Sequence, residues 1–135
     1  MNTLFMMRGL PASGKSTRAK AMIEASDKSI ARLNKDLLRE MLHFGEYSKE
    51  NENVVRHSQM VLFRALSFMG DVIIDDTNLR KEDLDKWELV ADDLDCKFEM
   101  IEMDTDVETC IERDAKREKT VGEKVIRGFH NQFTK

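Results

Sequence analysis

The sequence lacks any long apolar segment, and this absence excludes one class of protein. No run approaches the roughly 18 apolar residues that a membrane-spanning helix needs. The N-terminal apolar run Leu4–Met7 is also too short for a signal peptide, and it leads directly into a glycine-rich loop. We therefore expect neither a membrane partner nor a secretory leader.

Cysteine and proline are scarce as well. Two cysteines, Cys96 and Cys110, cannot build a disulfide framework, and neither has the spacing of a zinc site. Because their neighbours predict a strand and an amphipathic helix, we expect two buried thiols in a reducing cytoplasm. Pro11 is the only proline, and no linker, repeat or low-complexity segment divides the chain. The 135 residues therefore predict one domain, 1–135.

An excess of positive charge is missing too. The chain has 22 basic and 26 acidic side chains, for a net charge of −4. A protein that clamps a nucleic-acid duplex without regard to sequence usually presents a basic face, so that class is disfavoured. An anionic substrate would instead have to be bound by a local cluster of arginines.

One segment near the N-terminus matches the Walker A pattern G-x-x-x-x-G-K-[ST]. The match is Gly9-Leu10-Pro11-Ala12-Ser13-Gly14-Lys15-Ser16-Thr17. The apolar run before it predicts a buried parallel strand, and Ala19, Met22 and Ile23 after it share one helical face. A strand, a glycine loop and a helix in this order are what the motif requires.

The residue types in this loop suit a bound phosphate chain. Loop amides and the unpaired amides of the new helix point at the phosphates, and Gly9 and Gly14 permit that backbone. Lys15 can reach the β- and γ-phosphates, and the Ser16 hydroxyl can join a Mg²⁺ shell. The predicted nucleotide-binding residues are Gly9, Pro11, Ala12, Ser13, Gly14, Lys15, Ser16 and Thr17. The alternative is a glycine turn that carries Lys and Ser by coincidence.

The rest of the chain alternates short apolar runs with helical periods, which predicts an α/β fold with a parallel sheet. Further strands are expected at Ser29–Leu33, at Asp71–Asp76 with its apolar run Val72-Ile73-Ile74, and around Phe98–Ile101, with Lys97 and Glu99 facing outward. The predicted inner helix faces are Leu37, Leu38, Met41 and Leu42; Val55, Leu62, Leu66 and Met69; Leu84, Trp87, Ala91 and Leu94; Val107, Cys110 and Ile111; and Val125, Ile126, Phe129 and Phe133.

Charged residues follow the predicted second strand. In Asn34-Lys35-Asp36, the Asp36 carboxylate could accept a proton from an attacking hydroxyl. Arg39 lies three residues later on the same helix face and could bind an acceptor phosphate with two N–H groups. The alternative is that Asp36 only caps the helix and Arg39 is solvated.

Two other charged groups also fall beyond predicted core elements. Asp75 and Asp76 follow the third strand, where a Walker B carboxylate holds Mg²⁺; sequence leaves open which acid does so, and turn chemistry is the alternative. We assign Asp75, with Ser16, to the metal. Arg113 and Arg117 share a helix face and could neutralise a transferring phosphoryl group, unless they are simply a solvated surface.

In combination these segments resemble the polynucleotide 5′-hydroxyl kinases, including the kinase module of phage enzymes. The resemblance spans nearly the whole chain, and its discriminating segments are Asn34-Lys35-Asp36-x-x-Arg39 and Asp75-Asp76-Thr77-Asn78-Leu79, followed by Arg113-x-x-x-Arg117. It implies a P-loop kinase fold with a four-stranded parallel sheet in the order 2-3-1-4 and a helical lid. The implied reaction is ATP- and Mg²⁺-dependent phosphorylation of the 5′-hydroxyl end of RNA or DNA, as in nucleic acid repair.

The resemblance also implies residue roles. Lys15, Asp36 and Arg117 would be catalytic, with Asp36 the general base and Arg117 a transition-state contact. Arg39 would hold the acceptor's 3′-phosphate, and Asp76, Thr77 and Asn78 would line the acceptor side. Arg113 and Arg117 would cover the donor phosphates as a lid.

Two departures and two alternatives accompany this hypothesis. Family members often carry a second catalytic domain, typically a 3′-phosphatase, which we do not expect here, and the lid tip lacks a proline near Val121-Gly122. The acceptor could instead be a modified base, an internal sugar or a nucleoside, or the chain could be a non-catalytic nucleotide-binding regulator. The expected setting is the cytoplasm, that of the host if the gene is carried by a phage.

Overall fold

A computed structural model describes residues 1–133, in which strands and helices alternate. The strands are β1 (Thr3–Arg8), β2 (Ile30–Leu33), β3 (Asp71–Ile74) and β4 (Lys97–Glu102). The helices are α1 (Lys15–Ala25), α2 (Lys35–His43), α3 (Lys49–Leu66), α4 (Lys81–Asp93), α5 (Val107–Ala115) and α6 (Glu123–Phe133).

The four strands form one parallel sheet in the order β2-β3-β1-β4, which confirms the expected fold class and strand order. The central strand β1 places Phe5 opposite Ile73 on one side and opposite Glu99 on the other. Because all strands run the same way, the loop after β1 lies between the carboxyl ends of β3 and β4. Ligands of open α/β sheets bind at that edge.

Apolar side chains cover both faces of the sheet. On one face, α3 and α4 pack on the strands through Phe63 and Trp87, whose rings meet edge to face with centroids 5.5 Å apart. On the other face, Ala19, Met22 and Ile23 of α1 pack against Met7 and Ile73, as the periodicity predicts. A third cluster joins α5 and α6 to the loops that follow β1 and β3; its buried members are Leu10, Leu79, Cys110 and Ile126.

The predicted inner face of α2 is wrong. Only Leu38 is buried, whereas Leu37, Met41 and Leu42 are 58%, 68% and 40% exposed. Helix α2 lies at the edge of the sheet next to β2 and packs mainly on α3. A narrow contact with a single neighbouring helix is too small to cover four apolar side chains.

The predicted inner face of α3 is also partly wrong. Val55 is buried as expected, but Leu62 is exposed and Leu66 is only partly buried. Met69 lies beyond the end of the helix and is exposed. The buried side chains are Glu52, Val55, Gln59 and Phe63. Two of these four are polar, so apolar periodicity alone selected a face that is displaced around the helix.

This correction predicts different stability losses for two adjacent residues. Phe63→Ala should lower the free energy of unfolding by about 3–5 kcal/mol, because it empties a fully buried site against Trp87. Leu62→Ala, the matched control, should cost roughly 1 kcal/mol or less, since Leu62 is 37% exposed. Urea denaturation followed by circular dichroism measures both. Equal losses would contradict the orientation of α3.

The fourth strand lies at the free edge of the sheet. Lys97 and Glu99 face outward as predicted, and Met100 is 40% exposed as well. The two cysteines are free thiols; Cys110 is buried and Cys96 only partly so. Among residues 1–133, no helix combines the length and apolar character needed to cross a membrane.

Candidate active site

The loop between β1 and α1 adopts a backbone that requires glycine at two points. A Cβ on Gly9 would lie 2.7 Å from the Ser13 Oγ and 2.8 Å from the Met103 Cβ. Gly14, the N-cap of α1, has a φ of 98°, in the left-handed region. The loop therefore closes tightly and leads into a helix N-terminus whose free amides suit an anion.

The other loop residues lie around this turn. Ala12 also has a positive φ, of 62°, and Pro11 and Ser13 are buried. The Ser13 carbonyl accepts a hydrogen bond of 2.8 Å from Thr105 Oγ1, which ties the loop to the segment after β4. Thr17 is exposed in the first turn of α1. The predicted nucleotide-binding residues of this segment thus lie in the loop and in the first turn of α1.

Lys15 is buried and turned back over the loop. Its Nζ donates to the carbonyl oxygens of Gly9 at 3.1 Å and Leu10 at 2.7 Å. Burial lowers the pKa of Lys15, and Asp75 and Asp76 counteract this only in part. No carboxylate pairs with this ammonium group in the described chain, so a bound phosphate would supply its missing anionic partner.

Ser16 and Asp75 form the donor set expected for a divalent cation. The Ser16 Oγ donates to Asp75 Oδ2 at 3.0 Å, and Arg32 Nε donates to the same oxygen at 2.6 Å. The other oxygen, Asp75 Oδ1, is buried and has no hydrogen-bond partner in the described chain. An orphaned carboxylate oxygen next to a hydroxyl of the phosphate loop fits Mg²⁺, which prefers oxygen ligands.

Asp76 faces away from this pair and holds the start of α2. Its Oδ1 accepts from the Lys35 amide at 2.9 Å, and its Oδ2 accepts from Gln59 Nε2 at 2.7 Å. Burial raises the pKa of Asp76, although these two donors oppose the shift. With both oxygens occupied, Asp76 is less suited to bind a metal than Asp75.

Asn34 also connects the end of β3 to the start of α2. Its Nδ2 donates to the Asp75 carbonyl at 2.6 Å, and its Oδ1 accepts from the Leu37 amide as the N-cap of α2. Asn34, not Asp36, therefore caps the helix, which contradicts the alternative that Asp36 serves only as a cap. Asp36 is left in the first turn with a side chain that is 86% exposed.

Arg39 is held by carboxylates on two helices. Its Nε and Nη2 donate to Glu52 of α3 at 2.6 and 2.8 Å, and its Nη1 donates to Asp36. Hydrogen bonding to Glu52 raises the pKa of Arg39, and the same contact lowers the pKa of Glu52. Asp36 and Arg39 are thus brought together, as their spacing predicts, and Glu52 orients the guanidinium.

Thr77 and Asn78 connect the ends of β3 and β1. The Thr77 carbonyl accepts from the Gly9 amide at 3.0 Å. Asn78 is buried, has a φ of 46°, and its Nδ2 donates to the Met7 carbonyl at 2.7 Å. These contacts anchor the phosphate loop to β3; a substrate contact by either side chain stays a prediction.

Helices α5 and α6 form the arm that carries the two predicted lid arginines. Asp114 is buried and accepts from the amides of Val121 and Gly122 and from Arg117. Burial alone would raise the pKa of Asp114, but these donors hold it below its ordinary value. Asp114 therefore shapes the turn between the helices, where no proline is present.

Arg113 faces the phosphate loop, and Arg117 lies just beyond the end of α5. Arg113 Nη1 lies 3.6 Å from the position that a Cβ on Gly14 would occupy. The Arg117 charge is the smallest cause of the lowered pKa of Lys15, and its Nη2 donates to Asp114. Both side chains are exposed, and Arg113 has no ion-pair partner within the described chain.

Sequence reasoning missed four residues of this site, namely Arg32, Glu52, Gln59 and Asp114. A signal existed for two of them, since Glu52 and Gln59 share one helical face with Val55 and Phe63. Arg32 carried none, because its partners are distant in the sequence. The three-residue spacing of Asp114 to Arg117 suits an ion pair but does not reveal the bonds of Asp114 to the loop amides of Val121 and Gly122.

The chain has a P-loop kinase fold. Its features are a parallel sheet in the order 2-3-1-4, a phosphate loop, a Ser–Asp pair suited to a cation and a helical arm that carries arginines. The chain belongs to the AAA domain family, whose model matches residues 4–135.

Two curated relatives are similar to this chain. One is a bifunctional polynucleotide kinase/RNA ligase by name, from Autographa californica nuclear polyhedrosis virus, 29% identical over 84% of the chain. The other is an L-seryl-tRNA(Sec) kinase from Methanococcus maripaludis, 28% identical over 96%.

Solved structures agree on the fold. A chain of the Pnkp1/Rnl/Hen1 RNA repair complex has a TM-score of 0.87 and 26% identity, and the match covers 97% of this chain and 43% of that one. Chaetomium thermophilum Kti12 in complex with ADP-AlF3 has a TM-score of 0.74 at 21% identity, over 98% and 80%. The chain spans 18% and 52% of the length of the two curated relatives.

Proposed function

We propose that this chain is an ATP- and Mg²⁺-dependent kinase that phosphorylates the 5′-hydroxyl end of RNA or DNA. The observation that carries the proposal is one hydrogen-bonded path across the end of β3. Ser16 of the phosphate loop bonds the Asp75 side chain, and Asn34 bonds the Asp75 carbonyl. This path ties the start of α2, which carries Asp36 and, one turn later, Arg39, to the phosphate loop, and it supports a donor and an acceptor site that adjoin each other.

The donor side would work by electrostatics. Phosphoryl transfer needs little covalent help from the protein, so positioning and charge stabilisation dominate. Lys15 would leave the two carbonyls it bonds and move onto the β- and γ-phosphates, while Arg113 and Arg117 cover them from the arm. Ser16 and Asp75 would hold Mg²⁺, which neutralises charge on the phosphate oxygens when bound.

The acceptor side would work by an exchange of ion pairs. Arg39 faces two carboxylates, Asp36 and Glu52, so the cluster carries a net charge of −1 when all three are ionised. A phosphate next to the reacting hydroxyl would compete with the exposed Asp36 for Arg39 Nη1. Its arrival would free the Asp36 carboxylate to accept the hydroxyl proton as the oxygen attacks the γ-phosphorus, while the bond from that phosphorus to the β–γ bridging oxygen breaks and ADP leaves.

The test is transfer of label from γ-³²P-ATP to RNA and DNA hexanucleotides that carry a 5′-hydroxyl, with and without Mg²⁺. We expect labelled ends that a phosphatase removes, and no labelling of matched oligonucleotides that already carry a 5′-phosphate. Absence of labelled product from every RNA and DNA end would contradict the proposal and favour the nucleotide-binding regulator.

A second candidate keeps the chemistry and changes the acceptor. This candidate covers a hydroxyl on a modified base, an internal sugar or a nucleoside. The similarity to an L-seryl-tRNA(Sec) kinase, which matches 96% of this chain, supports an acceptor other than a 5′ end. Competition separates the two, because an acceptor with a 3′-phosphate should outcompete the bare nucleoside if Arg39 binds that phosphate.

Glu52 supplies a prediction for the acceptor side. Glu52→Gln removes a buried negative charge but keeps the shape, so Arg39 loses one charged partner and its orientation loosens. We expect a higher KM for an acceptor with a 3′-phosphate and a nearly constant KM for ATP. Steady-state kinetics with each substrate varied measures this. Glu50→Gln, an exposed acid two residues earlier, is the control.

Three broader elements complete the proposal. We propose that residues 1–135 act as one P-loop kinase domain. Thr77 and Asn78 are proposed to shape the acceptor side together with Asp76. The proposed setting is the cytoplasm, or that of the host if the gene is carried by a phage, and the proposed partner is a nucleic acid end.

A further inference from the structure

Arg32 of β2 is bonded to both side chains that we assign to the metal. Its Nε donates to Asp75 Oδ2 at 2.6 Å, and its Nη2 donates to Ser16 Oγ at 3.2 Å. The Ser16 hydroxyl itself donates to the same Asp75 oxygen at 3.0 Å. The guanidinium, the hydroxyl and the carboxylate thus form a closed triangle of hydrogen bonds. Phosphoryl transfer as proposed uses Ser16 and Asp75 but gives Arg32 no role.

Burial distinguishes this ion pair from those on the protein surface. The Asp75 side chain is 1% exposed, whereas the Arg32 side chain is 27% exposed. A buried carboxylate is costly unless a cation or several donors replace its lost hydration. Within the described chain, Arg32 is the only basic side chain in salt-bridge contact with Asp75. Arg32 therefore supplies the positive charge that Asp75 requires, and its partial exposure leaves the guanidinium a route to solvent.

A divalent cation at this pair would approach the same oxygens. Mg²⁺ binds its oxygen ligands at about 2.0–2.1 Å, closer than either Arg32 nitrogen lies to its acceptor. The Ser16 oxygen gives its proton to Asp75, and Arg32 occupies one of its two lone pairs. A metal on the other lone pair would bring a double positive charge next to the guanidinium, and like charges this close repel strongly. The metal and Arg32 are therefore competitors for Ser16 and Asp75.

Few other protein ligands can strengthen a metal at this place. Residues 1–133 contain no group of three or more His, Cys, Asp or Glu side chains that could hold a metal ion. Phosphates and water aside, a cation at the loop depends on one hydroxyl and one carboxylate. Since the ligand set is so small, a competing cation on both members should weaken metal binding markedly.

We propose that Arg32 competes with the divalent cation for Ser16 and Asp75, and so sets the metal concentration at which the site loads. The inference rests on the proposed function, because that function assigns the metal to these two residues. Arg32 balances the buried charge of Asp75 until a divalent cation arrives, and then turns towards solvent. Exchange of one cation for another spares Asp75 from being buried without a partner.

The test is direct binding of Mn²⁺, a paramagnetic probe that favours the same oxygen ligands as Mg²⁺. The variant is Arg32→Gln, and the matched control is Arg18→Gln, an exposed arginine on α1 close in sequence to Ser16. Both changes remove a positive charge, so the control corrects for the general attraction of Mn²⁺ to a more acidic protein. Electron paramagnetic resonance of free Mn²⁺, without nucleotide, measures the dissociation constant.

We expect Arg32→Gln to bind Mn²⁺ several-fold more tightly than Arg18→Gln does. Equal or weaker binding by Arg32→Gln would overturn the proposal. That result would mean that Arg32 stays on Asp75 Oδ2 while the metal uses Asp75 Oδ1, the oxygen that has no hydrogen-bond partner in the described chain.

Thermal stability gives a second measurement that does not depend on catalysis. Arg32→Gln leaves the buried Asp75 without its ion-pair partner, so the melting temperature without added metal should fall. A cation stabilises most the variant that binds it most tightly, so MgCl₂ should raise the melting temperature of Arg32→Gln more than that of Arg18→Gln. An equal rise in both variants would count against the competition.

Arg32→Lys covers the case in which Arg32→Gln fails to fold. Lysine keeps the charge that Asp75 requires, but it lacks the planar fork with which Arg32 bonds both oxygens. Because the net charge equals that of the wild type, the two proteins can be compared directly. We expect tighter Mn²⁺ binding by Arg32→Lys than by the wild type, and equal binding would overturn the proposal.

Failure of the proposed function would look different. Tighter Mn²⁺ binding by Arg32→Gln, in a protein that labels no RNA or DNA end, would support the competition and contradict the kinase. Labelled ends from a protein in which Arg32→Gln and Arg18→Gln bind Mn²⁺ equally would support the kinase and overturn the competition.

Discussion

Asp36→Ala is expected to lower the rate of phosphoryl transfer by about 10²- to 10⁴-fold, the range for one positioned general base. Nucleotide affinity should stay close to that of the wild type, because the Asp36 side chain bonds Arg39 and, within the described chain, bonds no group of the phosphate loop. Single-turnover transfer at saturating acceptor measures the first quantity. Equilibrium binding of a fluorescent ATP analogue measures the second.

The control for Asp36→Ala is Glu50→Ala. Glu50 is also an exposed acid in the first turn of a helix, so both changes remove the same favourable interaction with a helix N-terminus. Asp36→Glu, which keeps the carboxylate at a longer reach, should recover part of the rate. Near-normal turnover by Asp36→Ala would exclude Asp36 as the base.

Lys15→Ala is expected to reduce the turnover number by at least about 100- to 1000-fold, or roughly 2.7–4 kcal/mol of transition-state stabilisation. The ammonium group is buried, its pKa is lowered by that burial, and among residues 1–133 only two carbonyls bond it. A site that keeps a costly charge without an anionic partner is organised for a ligand that brings one. Steady-state kinetics and nucleotide binding check the prediction.

Stability separates a catalytic from a structural role for Lys15. Because the wild-type ammonium is poorly compensated in its buried site, Lys15→Ala should leave the free energy of unfolding unchanged or higher. Lys20→Ala, on the exposed side of α1, is the control and should change neither quantity. A large loss of stability in Lys15→Ala would mean that the lysine mainly holds the loop together.

The strands and helices could be predicted from the sequence because each depends on a short local pattern of residues. The run Leu4–Met7 followed by the glycine loop predicted β1, the phosphate loop and α1 without any distant residue. Asp71–Asp76 predicted β3 in the same way, although the strand ends two residues earlier, at Ile74. Strand order came from the resemblance, and the structure confirms it.

The side-chain partners of the site depended on contacts across the sequence. The sequence could not decide whether Asp75 or Asp76 binds the metal. Adjacent acids at the end of a strand point to different sides, and the sequence does not say what lies on each side. The fold gives Asp75 the Ser16 hydroxyl and Arg32, and gives Asp76 the Lys35 amide and Gln59. That difference supports Asp75 for the metal.

By itself, the sequence determined the phosphate loop, the alternation of strands and helices, and the proximity of Asp36 to Arg39, because each depends on neighbours within about one helical turn. Only the tertiary structure decided that Glu52 and Gln59 are buried while Leu62 and Met41 are exposed. The physical reason is that a polar side chain can be buried when another element supplies its hydrogen bonds, and that supply depends on which helices meet.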